Sequence, residues 1–460
     1  MLINDTIAAV STPVGEGGIG IVRISGDESI HILKKVFKSV KGKDVLEMKS
    51  YTMLYGHVID PENDEIVDEV IVSFMKAPNT YTREDIVEIN CHGGMIAVKK
   101  ILSLILKNGA RLAEPGEFTK RAFLAGRIDL SQAEAVIDLI RSKTDESMKI
   151  AMEQVQGKLS EKINAIMHSL LGILAHIEAA VDFPEDDIDD VVSKGILENG
   201  KGITAKIDEL IMGAETGKIL RDGLSTIIVG KPNVGKSSLL NALLQEKRAI
   251  VTDIPGTTRD VIEEYINIEG IPIKLVDTAG IREANDIVEQ IGVEKSKEYI
   301  DKADLVIFMI DASKPIEDED TRIMELIKDK KVMLVINKYD LPIAVNEEDI
   351  KTSFKNSPII HASINIEKGI EDIKKSIVEM VYGGKVSIKD VYVTNIRHKD
   401  ILIKANESVY KGMETLKLGY PIDMASIDFK DAYLKLGEIT GDTVADDIID
   451  RIFRDFCIGK

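Results

Sequence analysis

The sequence predicts a multidomain protein: an α+β domain at the amino terminus, an α-helical bundle domain, and an α/β phosphate-loop domain inserted into that bundle. The first observation is a glycine-rich loop, Gly230-Lys231-Pro232-Asn233-Val234-Gly235-Lys236-Ser237. It lies between an apolar, β-branched run (Ser225 to Val229) and a run in which Leu239, Leu240, Leu243 and Leu244 share one helical face. Second, helical periodicity flanks the loop-bearing segment on both sides, and because domain termini commonly lie close together, the simplest arrangement is one bundle made of both flanks. Third, the chain up to about residue 118 alternates short β-like runs with turn signals.

Length and composition set the frame. A chain of 460 residues is too long for one core, and a prior of one domain per ~150 residues suggests three. The expected divisions are 1–118, 119–218, 219–380 and 381–460. Apolar residues at 44% and charged residues at 30% are ordinary for a globular protein. Cys91 and Cys457 lie far apart in no metal-spaced cluster, so a disulfide framework is not expected and a reducing compartment fits. Met1 to Val10 has no basic region, and no apolar run approaches the ~18 residues of a membrane span. A cytoplasmic location is therefore expected. The net charge of −19 argues against nucleic-acid binding through the bulk field. Local patches are needed, and Thr119-Lys120-Arg121 through Arg127 and Arg397-His398-Lys399 are candidates, unless they are solvated helix faces.

In chain order, Ile19 to Ile24, Tyr51 to Ile59, Val70 to Phe74 and Ile86 to Ile89 read as strands, and Met95 to Lys107 as a helix. Cys91-His92-Gly93-Gly94 is either a tight turn or a set of backbone donors for an anion, and Cys91 reads as a small buried residue. From Ser131 to about Val181 the pattern is helical, with Ser131 and Glu134 as a capping box. The acidic run Asp182 to Asp190 is a solvated connection or a weak metal site. Two further helical stretches lie between about Asn395 and Phe456.

The loop carries its own chemistry. Backbone N–H groups of the Asn233, Val234, Gly235, Lys236, Ser237 and Ser238 stretch can turn onto a polyphosphate, Lys236 adds a point charge, and the Ser237 hydroxyl can ligate Mg²⁺. Downstream, a strand-like run ends in Asp277-Thr278-Ala279-Gly280, which brings a carboxylate to the metal and a glycine N–H to a γ-phosphate. Val332 to Ile336 ends in Asn337-Lys338-Tyr339-Asp340; Asp340 can accept from guanine N1–H and the 2-amino group, a donor pair adenine lacks.

This ordered set resembles the GTP-binding domain of the translation-factor-related GTPases. The resemblance makes Thr252-Asp253-Ile254-Pro255-Gly256-Thr257-Thr258 the first switch, with Thr258 completing the Mg²⁺ shell. Ser363-Ile364-Asn365 stands where a last guanine-contacting loop would be, departing from the usual Ser-Ala-Lys. Ile281 occupies the place of a water-orienting Gln and cannot hydrogen-bond a water. Asn233 either supports the loop or, as in relatives with this asparagine, holds K⁺ against the phosphates with help from Thr252, Ile254 and Thr257.

Glu114-Pro115-Gly116-Glu117-Phe118 running into Asp129-Leu130-Ser131-Gln132, together with the final Cys457-Ile458-Gly459-Lys460, resembles the MnmE (TrmE) family of tRNA modification GTPases over essentially the whole chain. That resemblance implies an amino-terminal domain that forms a homodimer and binds 5-formyl- or methylene-tetrahydrofolate through Arg23, Glu88, Arg127 and Lys460. It also implies Glu289 as the residue orienting the hydrolytic water. With an FAD-containing partner, MnmG (GidA), in a heterotetramer or larger complex, the family adds an aminomethyl or carboxymethylaminomethyl group to C5 of the tRNA wobble uridine. Cys457 is the implied nucleophile or acid/base group; were the last helix to continue, Arg454 would lie one turn before it and favour thiolate. The rival reading is a GTP-dependent ribosome-assembly switch binding ribosomal RNA, which needs no folate site.

Overall fold

A computed structural model describes residues 5–13, 15–182, 189–244, 264–275, 293–383 and 393–459. In the amino-terminal region, strands β1 (Ile7–Val10), β2 (Gly20–Ser25), β3 (Phe37–Ser39), β4 (Thr52–Asp60), β5 (Glu65–Met75), β6 (Ile86–Cys91) and β7 (Arg111–Leu112) form one sheet in the order β3-β4-β5-β6-β2-β1-β7. Helices α1 (Ser29–Val36) and α2 (Met95–Lys107) cover one face, burying Ile32, Leu33, Ile101 and Ile105 against Val22, Val72 and Ile89. The other face leaves Met53, Tyr55 and Ile71 exposed. Cys91 is buried, its thiol donating to the Gly20 carbonyl at 3.2 Å. Sequence periodicity located β2, β4, β5, β6 and α2; β1, α1, β3 and β7 were not anticipated.

The helical region comprises α3 (Glu117–Leu124), α4 (Leu130–Arg141), α5 (Asp145–Val155), α6 (Lys158–Asp182) and α7 (Asp189–Asp222), then α13 (Ile396–Lys417), α14 (Ile422–Thr440) and α15 (Asp446–Arg454) after the inserted segment. Leu159, Ile163 and Leu170 from one flank share a single core with Leu402, Val409 and Phe429 from the other. The bundle is therefore made of both flanks, as periodicity predicted. Helix α6 corrects the membrane expectation. It is long and apolar enough to span, yet its Leu159–Ile177 stripe recurs every three or four residues and is buried in that core.

The expected capping box is also corrected. Asp129 is the N-cap of α4, its side chain accepting from the Gln132 N–H at 3.0 Å while Gln132 Oε1 accepts from the Asp129 N–H at 2.9 Å. Glu134 instead points into the bundle. Buried at 6% exposure, it accepts from Arg397 Nη2 at 2.6 Å and meets His398 Nε2 at 2.7 Å. Burial would raise its pKa, but His398 and Arg397 outweigh it and hold the carboxyl at about 2. The Arg397-His398-Lys399 cluster is thus largely spent inside the protein, and Lys399 pairs with Glu215 at 3.1 Å. Likewise Arg121 is buried against Glu117, Glu84 and Asp5, and Lys120 pairs with Asp450 at 2.5 Å. Most of the charge in both runs is thus paired within the protein, while Arg127 is exposed.

The inserted segment is a doubly covered sheet of β8 (Leu224–Val229), β9 (Glu264–Ile268), β10 (Ile271–Leu275), β11 (Leu305–Asp311), β12 (Val332–Asn337) and β13 (Ile359–His361), in the order β13-β12-β11-β8-β10-β9. All neighbours are parallel except β9 with β10. Helices α8 (Lys236–Leu244) and α12 (Ile370–Tyr382) pack on one face, and α9 (Val293–Lys302), α10 (Asp318–Ile327) and α11 (Glu347–Ser353) on the other. Continuous burial along β11 and β12 explains why these strands read as unbroken apolar runs.

Candidate active site

The glycine-rich loop leaves the carboxyl end of β8, inside the sheet between β11 and β10, and runs into α8. That is the crevice where open α/β sheets bind ligands. Gly235 has φ +106° and a Cβ there would lie 2.3 Å from Asn337 Nδ2. Asn233 also has positive φ, +63°, which asparagine tolerates better than most residues. Lys236 Nζ donates to the carbonyls of Gly230 at 2.7 Å and Lys231 at 2.8 Å, so the cation sits within the loop. Val234 is buried beneath the loop, Ser238 is half-buried, and Asn233 and Ser237 are exposed.

Asn337 joins three motifs. Its amide donates to the Val234 carbonyl at 2.8 Å and accepts from the Ile364 N–H at 3.1 Å. This brings the glycine-rich loop, the Asn337-Lys338-Tyr339-Asp340 loop and the Ser363-Ile364-Asn365 loop together. Lys338 donates to Asp311 Oδ2 at 2.7 Å, and Tyr339 N–H donates to the Ala362 carbonyl at 3.0 Å. Asp340 and Asn365 are exposed at this rim. Sequence reasoning missed Asp311. Burial works to raise its pKa, but Lys338 and Ser313 outweigh it and hold the carboxyl below its usual value. Its signal was an aspartate closing an otherwise apolar strand. Thr252, Asp253, Ile254, Pro255, Gly256, Thr257, Thr258, Asp277, Thr278, Ala279, Gly280 and Glu289 lie outside the described residues, as does Lys460.

A second cluster forms where the end of the chain meets the amino-terminal sheet. Arg23 on β2 and Glu88 on β6 are direct cross-strand partners, joined by Arg23 Nε to Glu88 Oε1 at 2.8 Å. Arg23 Nη1 also donates to the Gly459 carbonyl at 3.3 Å, as does the Ser11 hydroxyl at 3.2 Å. The tail reaches this point because Ile449, Phe453 and Phe456 pack on Leu130, Ala133 and Ile137 of α4. Ile458 then bridges Pro115, and Gly116 N–H donates to the Cys457 carbonyl at 3.3 Å. The last helix does not continue, so the condition that would set Arg454 one turn before Cys457 is not met: α15 ends at Arg454, and Cys457 is exposed beyond it. Arg127 donates to the Tyr81 carbonyl at 3.2 Å and lies 4.7 Å from the Tyr81 ring, while Arg23 lies 5.6 Å from the Phe118 ring. Tyr81 packs against the cluster that contains Phe118, so Arg23 and Arg127 border one apolar cluster.

A family model described as the MnmE helical domain matches residues 130–457, and one described as the GTP-binding protein TrmE N-terminus matches residues 6–127. The chain is similar to the tRNA modification GTPase MnmE of Alkaliphilus oremlandii, at 55% identity over 461 residues and 100% of each chain. Its similarity to the tRNA modification GTPase MnmE of Thermoanaerobacter pseudethanolicus is 53% over 460 residues, again 100% of each. Among solved structures, the FeoB G-domain from Methanococcus jannaschii matches at 27% identity with TM-score 0.25, covering 34% of this chain and 97% of that one.

Proposed function

The chain belongs to the MnmE family of tRNA modification GTPases, and from that premise we propose that it is the GTP-hydrolysing component of a complex adding an aminomethyl or carboxymethylaminomethyl group to C5 of the tRNA wobble uridine. The one-carbon unit comes from 5-formyl- or methylene-tetrahydrofolate. The observation that carries this reading is the docking of the Cys457-Ile458-Gly459 tail on the Arg23–Glu88 pair, through the Gly459 carbonyl. It brings the far end of the chain, two residues beyond Cys457, onto Arg23 and its partner Glu88, which supports a shared site. Glu88 offers an acceptor to the donor edge of a pterin, and Arg23, Arg127 and Lys460 offer cations to its glutamate tail.

For GTP, the N–H groups of 233–238 and Lys236 bind the phosphates, Ser237 and Thr258 hold Mg²⁺, and Asp340 reads guanine. Bound Mg²⁺ neutralises charge on the phosphates. Asn233, Thr252, Ile254 and Thr257 hold K⁺, and Glu289 orients the water. The exposed Met53, Tyr55 and Ile71 on the sheet face that carries Glu88 support a homodimer through this domain. The FAD-bearing partner MnmG completes a heterotetramer or larger complex in the cytoplasm, consistent with two free cysteines. The division into 1–118, 119–218, 219–380 and 381–460 is part of this proposal, supported by the separate apolar cores.

The test is mass spectrometry of wobble nucleosides from cells lacking the protein, complemented with wild type, Asp277→Ala or Cys457→Ser. A 5-aminomethyl-type uridine restored only by wild type is expected. Unchanged nucleosides on deletion overturn the reading in favour of the ribosome-assembly switch. Equal turnover in NaCl and KCl at matched ionic strength removes the K⁺ assignment alone.

A further inference from the structure

Lys231, the second residue of the glycine-rich loop, is 7% exposed, whereas its neighbours Asn233 and Ser237 are exposed. Its Nζ lies 2.6 Å from Asp320 Oδ2 and 2.8 Å from Glu317 Oε2, at the start of α10. Asp320 is 1% exposed, and the same Oδ2 accepts from the Glu317 N–H at 3.1 Å. A carboxylate this deep depends on its cation. Burial works to lower the Lys231 pKa, but Asp320 and Glu317 outweigh it and carry the pKa above its usual value, so the lysine stays charged. Glu317 is largely exposed, which leaves Asp320 as the principal partner.

The other end of Lys231 faces the nucleotide site. Its backbone carbonyl accepts from Lys236 Nζ at 2.8 Å. Asp311, the last residue of β11, holds Lys338 at 2.7 Å. The end of β11 and the first turn of α10 thus anchor the guanine loop and the phosphate loop, each through a lysine–carboxylate pair.

We propose that Lys231 is a positioning residue for nucleotide binding. Clamped by Asp320, it fixes the first turn of the loop so that the Gly230 and Lys231 carbonyls hold Lys236 in register before nucleotide arrives. A pair that merely steadied the α10 terminus would change melting temperature and leave affinity alone.

The experiment is equilibrium binding of fluorescent GDP and a non-hydrolysable GTP analogue to the full chain, with Lys231→Met, Asp320→Asn, their combination, and Lys231→Arg. Each single variant is expected to weaken both nucleotides about tenfold, the scale of losing one buried charge partner. The double variant is expected to be little worse than either, because the pair acts as a unit. Lys231→Arg recovers most of the affinity, and KM for GTP rises with the loss in binding while kcat falls less. Unchanged affinity with a lowered melting temperature, or a double-variant effect equal to the product of the singles, overturns the proposal. Should Lys231→Met not fold, Asp320→Asn against Lys231→Arg makes the same comparison.

Discussion

The nucleotide site and the tail-docked site differ in how their parts are drawn from the chain. In the first, each described motif is a short contiguous run following a strand, and tertiary structure only brings the runs side by side, as Asn337 does between Val234 and Ile364. In the second, only the tail is a recognisable run, and Arg23 and Glu88 stand in strands that carry no motif of their own. Arg23, Glu88 and Gly459 belong to β2, β6 and the far tail, and they meet because α15 packs on α4. A contiguous site tolerates movement between domains, whereas an assembled one depends on the whole scaffold.

That contrast can be broken experimentally. The largest effect is expected from Lys236→Ala, which removes a charge held inside the loop by two carbonyls. A fall in kcat/KM for GTP on the order of 1000-fold is expected in steady-state assays, with the proposed folate binding untouched. If folate affinity fell too, the sites would be coupled rather than separate.

Next is Glu134→Gln, which leaves Arg397 and His398 without their buried carboxylate. A group lowered from 4.5 to about 2 contributes stability that is fully present above its unfolded pKa and lost as pH falls through the folded one. The shift corresponds to roughly 3 kcal/mol. Chemical denaturation should therefore show wild-type stability fading between those two values, and the variant should start lower and lack that slope. Because this carboxylate holds the return leg that leads to α15, folate binding should be more sensitive than GTP binding near the midpoint.

A smaller effect is expected from Gly459→Ala. At φ +92° a Cβ would lie 2.1 Å from the Val10 carbonyl, so the tail must shift. Calorimetry should show folate affinity weakened about tenfold, near 1.4 kcal/mol, with KM for GTP constant; intact folate binding would detach the tail from the site. The smallest effect is expected from Lys399→Ala, which removes the exposed pair with Glu215. A change below about 0.5 kcal/mol in denaturation is expected. Lys399 adjoins Arg397 and His398 in sequence, so contrast with Glu134→Gln isolates burial from charge.

Much of the fold was legible because periodicity reports one-sided burial: α2, the stripe of α6 and the apolar runs of β11 and β12 all follow it. Short edge elements such as β3 and β7 carry too few residues for a period. Ser131 and Glu134 look like a capping box from spacing alone, but Asp129 has the same competence two residues earlier and wins it.

By itself, then, the sequence determined the nucleotide motifs, because phosphate and guanine contacts need particular residues within one turn of backbone. It also suggested the inserted order of the domains, which the core shared by the two helical flanks bears out. Only the tertiary structure decided that His398 and Arg121, both buried, and the half-buried Arg397 are partners of internal carboxylates rather than a nucleic-acid patch, and that Lys231 belongs to Asp320. The physical reason is that a charge's role depends on what desolvates and pairs it, and those groups lie 89 positions away for Lys231 and more than 260 for Glu134.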